Sequence, residues 1–195
     1  MDALSTDALD QLFLTARTYN GYLDEPVSED QLRAIWDLMK MGPTSANMLP
    51  ARLVWCVSAE AKDRLAACAL PKNGDKIRAA PVTVIIGMDL DFHEHLPELF
   101  PHDQTAKSWF SDAEARRVHA LRNSSLQGGY FIMAARALGL GTGPMSGFDH
   151  ARVDEAFFAG INVKSNFIST LGHGDPATVF SRSPRPPFER FNSLL

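Results

Sequence analysis

The residues of this chain best suited to chemistry fall in three places. Thr44, Ser45 and Asn47 stand in the run Gly42-Pro43-Thr44-Ser45-Ala46-Asn47-Met48-Leu49-Pro50, where hydroxyl and amide side chains can only donate and accept hydrogen bonds. Such a run is either a local turn, because Ser, Thr and Asn bond their own backbone readily, or the rim of a site for a polar ligand. Arg182 and Arg185 lie three apart in a proline-stiffened tail, and Arg17 closes an early helical segment. Guanidinium groups make forked hydrogen bonds to phosphate oxygens, although a lone arginine is ordinarily a solvated surface residue. The third place is Gly139-Leu140-Gly141-Thr142-Gly143-Pro144-Met145-Ser146-Gly147. Its glycines either let backbone amides approach a ligand or cap a helix and make a tight connection, with Pro144 restricting the shape.

Other chemistries find less support. The glycine-rich stretch follows a long helical pattern, whereas a dinucleotide-binding glycine loop follows a strand and opens a helix, and no Gly-Lys-Ser/Thr marks a P-loop. His93, His95 and His102 with Asp103 match no zinc spacing, so no metal is expected. No Gly-x-Ser-x-Gly elbow is present, and His173 in Gly172-His173-Gly174-Asp175 reads as a turn residue after a strand. Two cysteines, Cys56 and Cys68, are too few for a disulfide framework and read as reduced core residues.

The elements that must position these residues follow from period and punctuation. A first helix is expected from about Thr6 to Arg17, with Ser5 or Thr6 as cap and Leu9, Leu12 and Phe13 on one face. Ser28-x-x-Gln31 reads as a capping box opening a helix with Leu32, Ile35, Trp36 and Met39 at helical spacing, ended by Gly42-Pro43. Residues 52–57 read as a buried strand, 59–69 as a helix followed by a basic loop, and 81–88 as a second strand whose unbroken apolar character implies cover on both faces. Residues 89–112 show no clear period and read as a lid or mobile insertion. The longest helix is expected over 113–138, with Leu126, Tyr130, Met133, Ala134 and Ala137 as its apolar stripe. A helix at 151–158, a third strand at 167–171 and an extended, apolar tail from Ser181 complete the reading.

Strands separated by helices indicate an α/β or α+β domain, read here as one unit spanning 1–195. The net charge of −4 and the lack of a basic stripe argue against a nucleic-acid partner. The acidic first residues and the want of a long apolar run are read as no signal peptide and no membrane span, so a cytoplasmic location is expected. Three strands are few for this length, and an apolar tail can complete a partner subunit's sheet.

Four ordered motifs resemble the nitroreductase family of flavin enzymes, over nearly the whole chain. They are Arg17-Thr18-Tyr19-Asn20 ahead of Asp24-Glu25-Pro26-Val27; Pro43-Thr44-Ser45-Ala46-Asn47-Met48-Leu49-Pro50; Gly141-Thr142-Gly143-Pro144-Met145-Ser146-Gly147-Phe148-Asp149; and Arg182-Ser183-Pro184-Arg185-Pro186-Pro187-Phe188-Glu189. Two phrases, Met41 to Asn47 and Leu121-Arg122-Asn123-Ser124-Ser125-Leu126-Gln127, are similar to the malonic semialdehyde reductase branch of pyrimidine catabolism.

The resemblance implies an α+β, three-layer α/β/α sandwich with a mainly antiparallel sheet, and an obligate homodimer with exchanged C-terminal tails. It implies FMN as bound cofactor, NADPH or NADH as hydride donor, and a small-molecule substrate: malonic semialdehyde reduced to 3-hydroxypropionate, or alternatively nitroaromatics or quinones. A non-catalytic flavin-binding dimer is the alternative of another class. Carried onto this chain, Arg17, Arg182 and Arg185 meet the phosphate, and Thr18 and Asn20 the ribityl chain or ring. Asn47 reaches the ring edge with Thr44 and Ser45 shaping the approach. Pro144 and Met145 lead to the amides of Ser146 and Gly147 near N5 and O4. No residue is assigned as general acid. Ala16 and Asn20 stand where many members carry cations, and Leu49 stands where they carry glutamine.

Overall fold

The structure, a computed structural model, describes residues 2–195. In chain order its elements are α1 (Thr6–Leu9), continued by a π-helical turn over Asp10–Leu14, then α2 (Glu29–Met39), β1 (Ala51–Cys56), α3 (Ala59–Ala66), α4 (Pro71–Ala79) and β2 (Val82–Asp89). After these come α5 (Leu96–Leu99), α6 (Ala113–Ala137), β3 (Gly141–Met145), α7 (His150–Phe157), β4 (Val163–Gly172) and α8 (Phe188–Phe191).

The strands form one antiparallel sheet in the order β1-β2-β4-β3. β2 is buried along its whole length, because alternate side chains feed two different cores. Val82, Val84 and Ile86 pack with Ile35 and Met39 of α2 and Phe131 and Ala135 of α6. Ile85 instead joins Leu65 of α3, Ile77 of α4, Val153 of α7 and Ile168 of β4. Each such fully buried aliphatic or aromatic side chain is worth roughly 1.5–3 kcal/mol. The result is the α+β sandwich expected, a sheet with helices on both faces.

Local signals set most of the boundaries. Ser28 and Gln31 form the full capping box of α2, and the side chains of Ser58, Asp112 and Asp149 cap α3, α6 and α7. Both cysteines are buried and unpaired, and burial pushes the Cys56 thiol up to about 11.

Several expectations are corrected. The basic stretch after α3 is a helix, α4, opened by Pro71 in its first turn; it buries Gly74 and Ile77 and little else, too narrow a stripe to show as a period. The first helix stops at Leu14 rather than Arg17, and Leu9 and Phe13 of its apolar face are exposed. Trp36 is likewise exposed beside the buried Leu32, Ile35 and Met39.

Residues 89–112 are not irregular. They fold into short helical turns at Phe92–His95, Leu96–Leu99 and Ala106–Phe110 around a third core of Met48, Met88, Phe92, Leu96, Phe110 and Ala120. Each turn is too short to display a helical period. A fourth strand, β3, lies inside the glycine-rich stretch read as a loop. Gly143 is required there, because a Cβ would sit 2.8 Å from the carbonyl oxygen of Tyr19. β4 also begins earlier than expected, at Val163.

The greatest departure concerns α6. Its expected apolar stripe is turned outward at Leu126 (49% exposed) and Tyr130 (42%), while Asn123, Ser124 and Gln127 are buried. Polar burial is tolerated because two of these residues accept backbone donors: Asn123 Oδ1 from Ser45 N–H (2.9 Å) and Gln127 Oε1 from Ala51 N–H (2.8 Å). The tail does not bury its aromatic residues in the single chain; Phe180, Phe188 and Phe191 are exposed.

Candidate functional site

The segment after the first helix runs alongside the free edge of β3. Thr18 pairs with Thr142, Tyr19 N–H donates to the Thr142 carbonyl (3.1 Å), and Tyr22 hydroxyl meets Thr170 Oγ1 at 2.6 Å. Burial pushes the Tyr22 phenol up to about 12. This pairing holds Arg17, Thr18 and Asn20 in fixed order along the sheet edge.

The tail returns to the same place. Arg17 donates to the Phe180 carbonyl, and Arg182 Nη2 donates to the carbonyls of Leu14 (2.8 Å) and Ala16 (3.0 Å). Arg185 bonds only the neighbouring carbonyls of Ser183 and Pro184. A cavity of about 410 Å³ opens between the two segments, lined by Arg17, Thr18, Asn20, Arg136, Arg182 and Arg185 among others, with no carboxylate in its wall. None of the four arginines forms an ion pair among the described residues. Arg17 and Arg136 also line an adjoining cavity of about 550 Å³ whose wall carries Asp7, Asp10 and Glu25, so the carboxylates lie on the far side of these two arginines from Arg182 and Arg185. Guanidinium groups gathered in one wall repel one another, and an anion in the cavity relieves that repulsion.

Two side chains of α4 extend the site from the arginines toward the end of β3. Lys76 Nζ donates to Asn20 Oδ1 (2.7 Å), and Asn73 Nδ2 donates to the Gly147 carbonyl (3.0 Å). The two residues are one helical turn apart, so α4 spans from Asn20 to Gly147. Gly147 admits this approach, since a Cβ there would lie 2.6 Å from Asn73 Nδ2. Among the described residues the N–H groups of Ser146 and Gly147 carry no hydrogen bond within the chain. Pro144 pairs with Ser169 and Met145 with Ile168 at the end of β3, which fixes where those two free donors begin.

Thr44, Ser45 and Asn47 lie elsewhere. Their loop is a single 3-10 turn at the middle of α6, tied through Ser45 to Asn123, with Thr44 Oγ1 accepting Leu49 N–H (3.2 Å) and Asn47 Nδ2 donating to the Leu99 carbonyl (2.8 Å). Asn123 and Arg136 are thirteen residues apart on one helix, which at 1.5 Å per residue separates this loop from the arginine cavity by about 20 Å. Ala46, Asn47 and Leu49 all hold positive φ (49°, 49° and 38°), the left-handed region that costs side-chain-bearing residues free energy. The segment from Arg17 to Asn20, the tail arginines and the end of β3 are therefore brought together, and the loop at 44–47 is not.

Three contributors escaped the sequence reading: Asn73 and Lys76, hidden in a stretch taken for a loop, and Arg136, taken as part of a helical pattern. Arg136 did carry a signal, being the only charged residue between Arg122 and Asp149. Among the described residues no cluster of three His, Cys, Asp or Glu side chains could hold a metal, and no helix is long and apolar enough to cross a membrane.

The fold is an antiparallel sheet between helical layers, with an arginine-lined cavity at one edge and free backbone donors beyond it, an arrangement suited to an elongated ligand with an anionic end. The profile of the nitroreductase family matches residues 15–173, and the chain belongs to that family. A relative from Caulobacter sp. (strain K31), provisionally named NADH dehydrogenase/NAD(P)H nitroreductase, is 60% identical over all 195 residues of both chains. One from Stenotrophomonas maltophilia (strain K279a), with the same provisional name, is 60% identical over 96% of this chain and 95% of its own.

Solved structures share the fold at low identity. A protein of Bacillus subtilis provisionally named a nitroreductase superposes with a TM-score of 0.87 at 20% identity, covering 98% of this chain and 100% of its own. One of Exiguobacterium sibiricum 255-15 with the same provisional name, in complex with FMN, superposes with a TM-score of 0.85 at 20% identity over the whole of both chains. FMN, the group held in that structure, is the cofactor to set against this site. The residues present fit that cofactor: the arginine cavity suits a phosphate, and the unbonded Ser146 and Gly147 amides suit the polar edge of a flavin ring.

Proposed function

We propose that this chain acts as a homodimer that binds FMN between its copies and uses NADPH or NADH to reduce malonic semialdehyde to 3-hydroxypropionate, within uracil and pyrimidine degradation. The observation that carries the flavin site is the cavity in which Arg17, Arg182 and Arg185 stand without a carboxylate. In this reading those arginines hold the phosphate by charge-assisted hydrogen bonds, and Thr18 and Asn20, the latter fixed by Lys76, line the path of the ribityl chain. With FMN bound, the N–H groups of Ser146 and Gly147 would serve as fixed donors to the polar edge of the ring, where negative charge develops on reduction. FMN, when bound, supplies hydride transfer in two half-reactions. In balance, NAD(P)H and a proton convert the aldehyde carbonyl to a primary alcohol and release NAD(P)⁺.

The dimer reading is supported by the separation of about 20 Å along α6 between the loop and the arginine cavity. Asn47, with Thr44 and Ser45, reaches a ring edge only when a second copy brings its loop to the cavity of the first. Exposed apolar side chains supply a face for that second copy: Val118, Leu121, Leu126 and Tyr130 on α6, with Phe13 and Leu14 beside its end. The exposed Phe188 and Phe191 of the tail are suited to exchange between copies.

The malonic semialdehyde reading is supported by the Met41 to Asn47 and Leu121 to Gln127 phrases. A second reading, a reductase of nitroaromatics or quinones, is favoured by the provisional name shared by the 60%-identical relatives. Turnover of malonic semialdehyde against that of a nitrofuran separates them, and equal or faster nitrofuran turnover overturns the first. A flavin that stays oxidised on anaerobic mixing with NADPH and NADH would instead identify a non-catalytic flavin-binding dimer.

A further inference from the structure

Arg136 is the residue of the cavity that no motif claims. It occupies the last turn of α6 and is the only charge between Arg122 and Asp149, so no acidic residue lies within a turn of it on the helix. Its Nη1 donates to the Leu12 carbonyl (2.9 Å), while its Nε is buried without a hydrogen-bond partner. A buried guanidinium N–H left unsatisfied is costly, and the guanidinium also faces the like charge of Arg182. Both burdens disfavour its charged form, and its pKa is lowered accordingly, burial being the larger cause.

A cation at a helix C-terminus is favourable in itself, and Arg136 could be retained for that and for its tie to Leu12 alone. That account does not explain the position of Arg136 in the wall shared with Arg17, Arg182 and Arg185. An anion in the cavity does. It neutralises the repulsion between Arg136 and Arg182 and gives an acceptor to Nη2, which makes no hydrogen bond among the described residues.

We propose that Arg136 is a fourth phosphate-binding residue, which reaches the cofactor's phosphate from the end of α6 while Arg17, Arg182 and Arg185 reach it from the sheet edge and the tail. The assignment rests on the FMN reading of the cavity. It makes Arg136 a residue that selects the phosphorylated flavin: its contribution is confined to FMN and absent from riboflavin, which has the same ring and ribityl chain without the phosphate.

The test compares dissociation constants for FMN and riboflavin, by quenching of flavin fluorescence, on the flavin-stripped full chain and its Arg136→Met and Arg136→Lys variants. The native chain is expected to prefer FMN. Arg136→Met should weaken FMN by about tenfold or more while riboflavin stays within about twofold, and Arg136→Lys should recover part of the loss. Equal weakening of both flavins by Arg136→Met, or of neither, overturns the assignment and leaves the FMN reading standing. A native chain that binds neither flavin overturns the FMN reading and the assignment with it. Should Arg136→Met fail to fold, inorganic phosphate decides on the native chain and Arg136→Lys: weaker competition by phosphate against FMN in the lysine variant supports the role, and identical competition refutes it.

Discussion

The arginine cavity and the loop at 44–50 are both polar, but they hold their polarity in opposite conditions. In the cavity four guanidinium groups share a wall without a carboxylate, tied mostly to carbonyl oxygens and left with donors to spare. In the loop Thr44 Oγ1, Asn47 Nδ2 and the Ser45 N–H are each engaged within the chain, by Leu49, Leu99 and Asn123, and three residues hold positive φ. The first region keeps its electrostatic capacity for a ligand. The second spends its interactions on shape. One region thus supplies binding free energy and the other a fixed contour, and the proposed dimer would bring the two together from different copies.

Removing a cavity arginine is the strongest way to break that contrast. Arg182→Ala deletes a charge-assisted contact and is expected to weaken FMN binding by about 2–3 kcal/mol, or roughly 30- to 150-fold. The stripped protein should lose little thermal stability, because the two exposed bonds from Arg182 to the Leu14 and Ala16 carbonyls are lost while repulsion with Arg136 is relieved. Fluorescence titration and thermal melting measure the two halves. A large fall in melting temperature with unchanged FMN affinity would make the cavity a structural feature.

The sheet edge behind the cavity has its own titration. Tyr22 is favoured in its neutral form, because burial raises its pKa to about 12 in the fold against about 10 for a free tyrosine. Its contribution is complete below pH 10 and is lost as pH rises from 10 toward 12, since only the unfolded chain releases the proton in that window. The two units correspond to about 2–3 kcal/mol. Tyr22→Phe lacks the proton and should show a shallower alkaline decline in urea-unfolding free energy. An unaltered slope would place the destabilising group elsewhere, with Cys56 next to be tested.

On the loop side the sensitive partner is Asn123. Asn123→Ala removes the acceptor of Ser45 N–H and should cost about 1–2 kcal/mol of stability. Its effect on FMN should appear only in the dimer, and riboflavin should be affected as much as FMN. Loss confined to FMN would contradict the division between a charge-supplying region and a contour-supplying one.

These regions were not equally legible in the sequence. Arg17, Arg182 and Arg185 were readable because each stands beside a break in regular structure, where an arginine is conspicuous. Lys76 and Asn73 were not, because α4 buries only Gly74 and Ile77 and so lacks the stripe that reveals a helix. α6 was found at full length but with only part of its stripe turned inward: Ala134 is buried as expected, whereas Leu126 and Tyr130 point outward and the polar Asn123 and Gln127 turn inward to satisfy loop backbone. Periodicity locates a helix and cannot say which of two faces a chain reserves for a neighbour. β3 was missed because glycine and proline, poor strand formers in general, are what the close approach of Tyr19 allows at that edge.

The smallest expected effect tests whether the loop's strain belongs to its shape or to its function. Ala46 holds φ 49° and ψ 30°, a conformation that costs an L-residue about 1–2 kcal/mol and glycine nothing. Against that gain, Ala46→Gly adds about 0.5–1 kcal/mol of unfolded-chain entropy and gives up a methyl group partly buried against the Met48 cluster. The balance is a stability change between zero and about +1 kcal/mol, measured by urea unfolding. Asn47→Gly should behave oppositely. Asparagine already tolerates the left-handed region, so little strain is relieved, and the bond from Nδ2 to the Leu99 carbonyl is lost, a cost of about 1 kcal/mol. If both glycine variants destabilise alike, backbone strain is not what distinguishes the loop; if Ala46→Gly stabilises and leaves FMN affinity intact, the loop contributes its contour and not its tension.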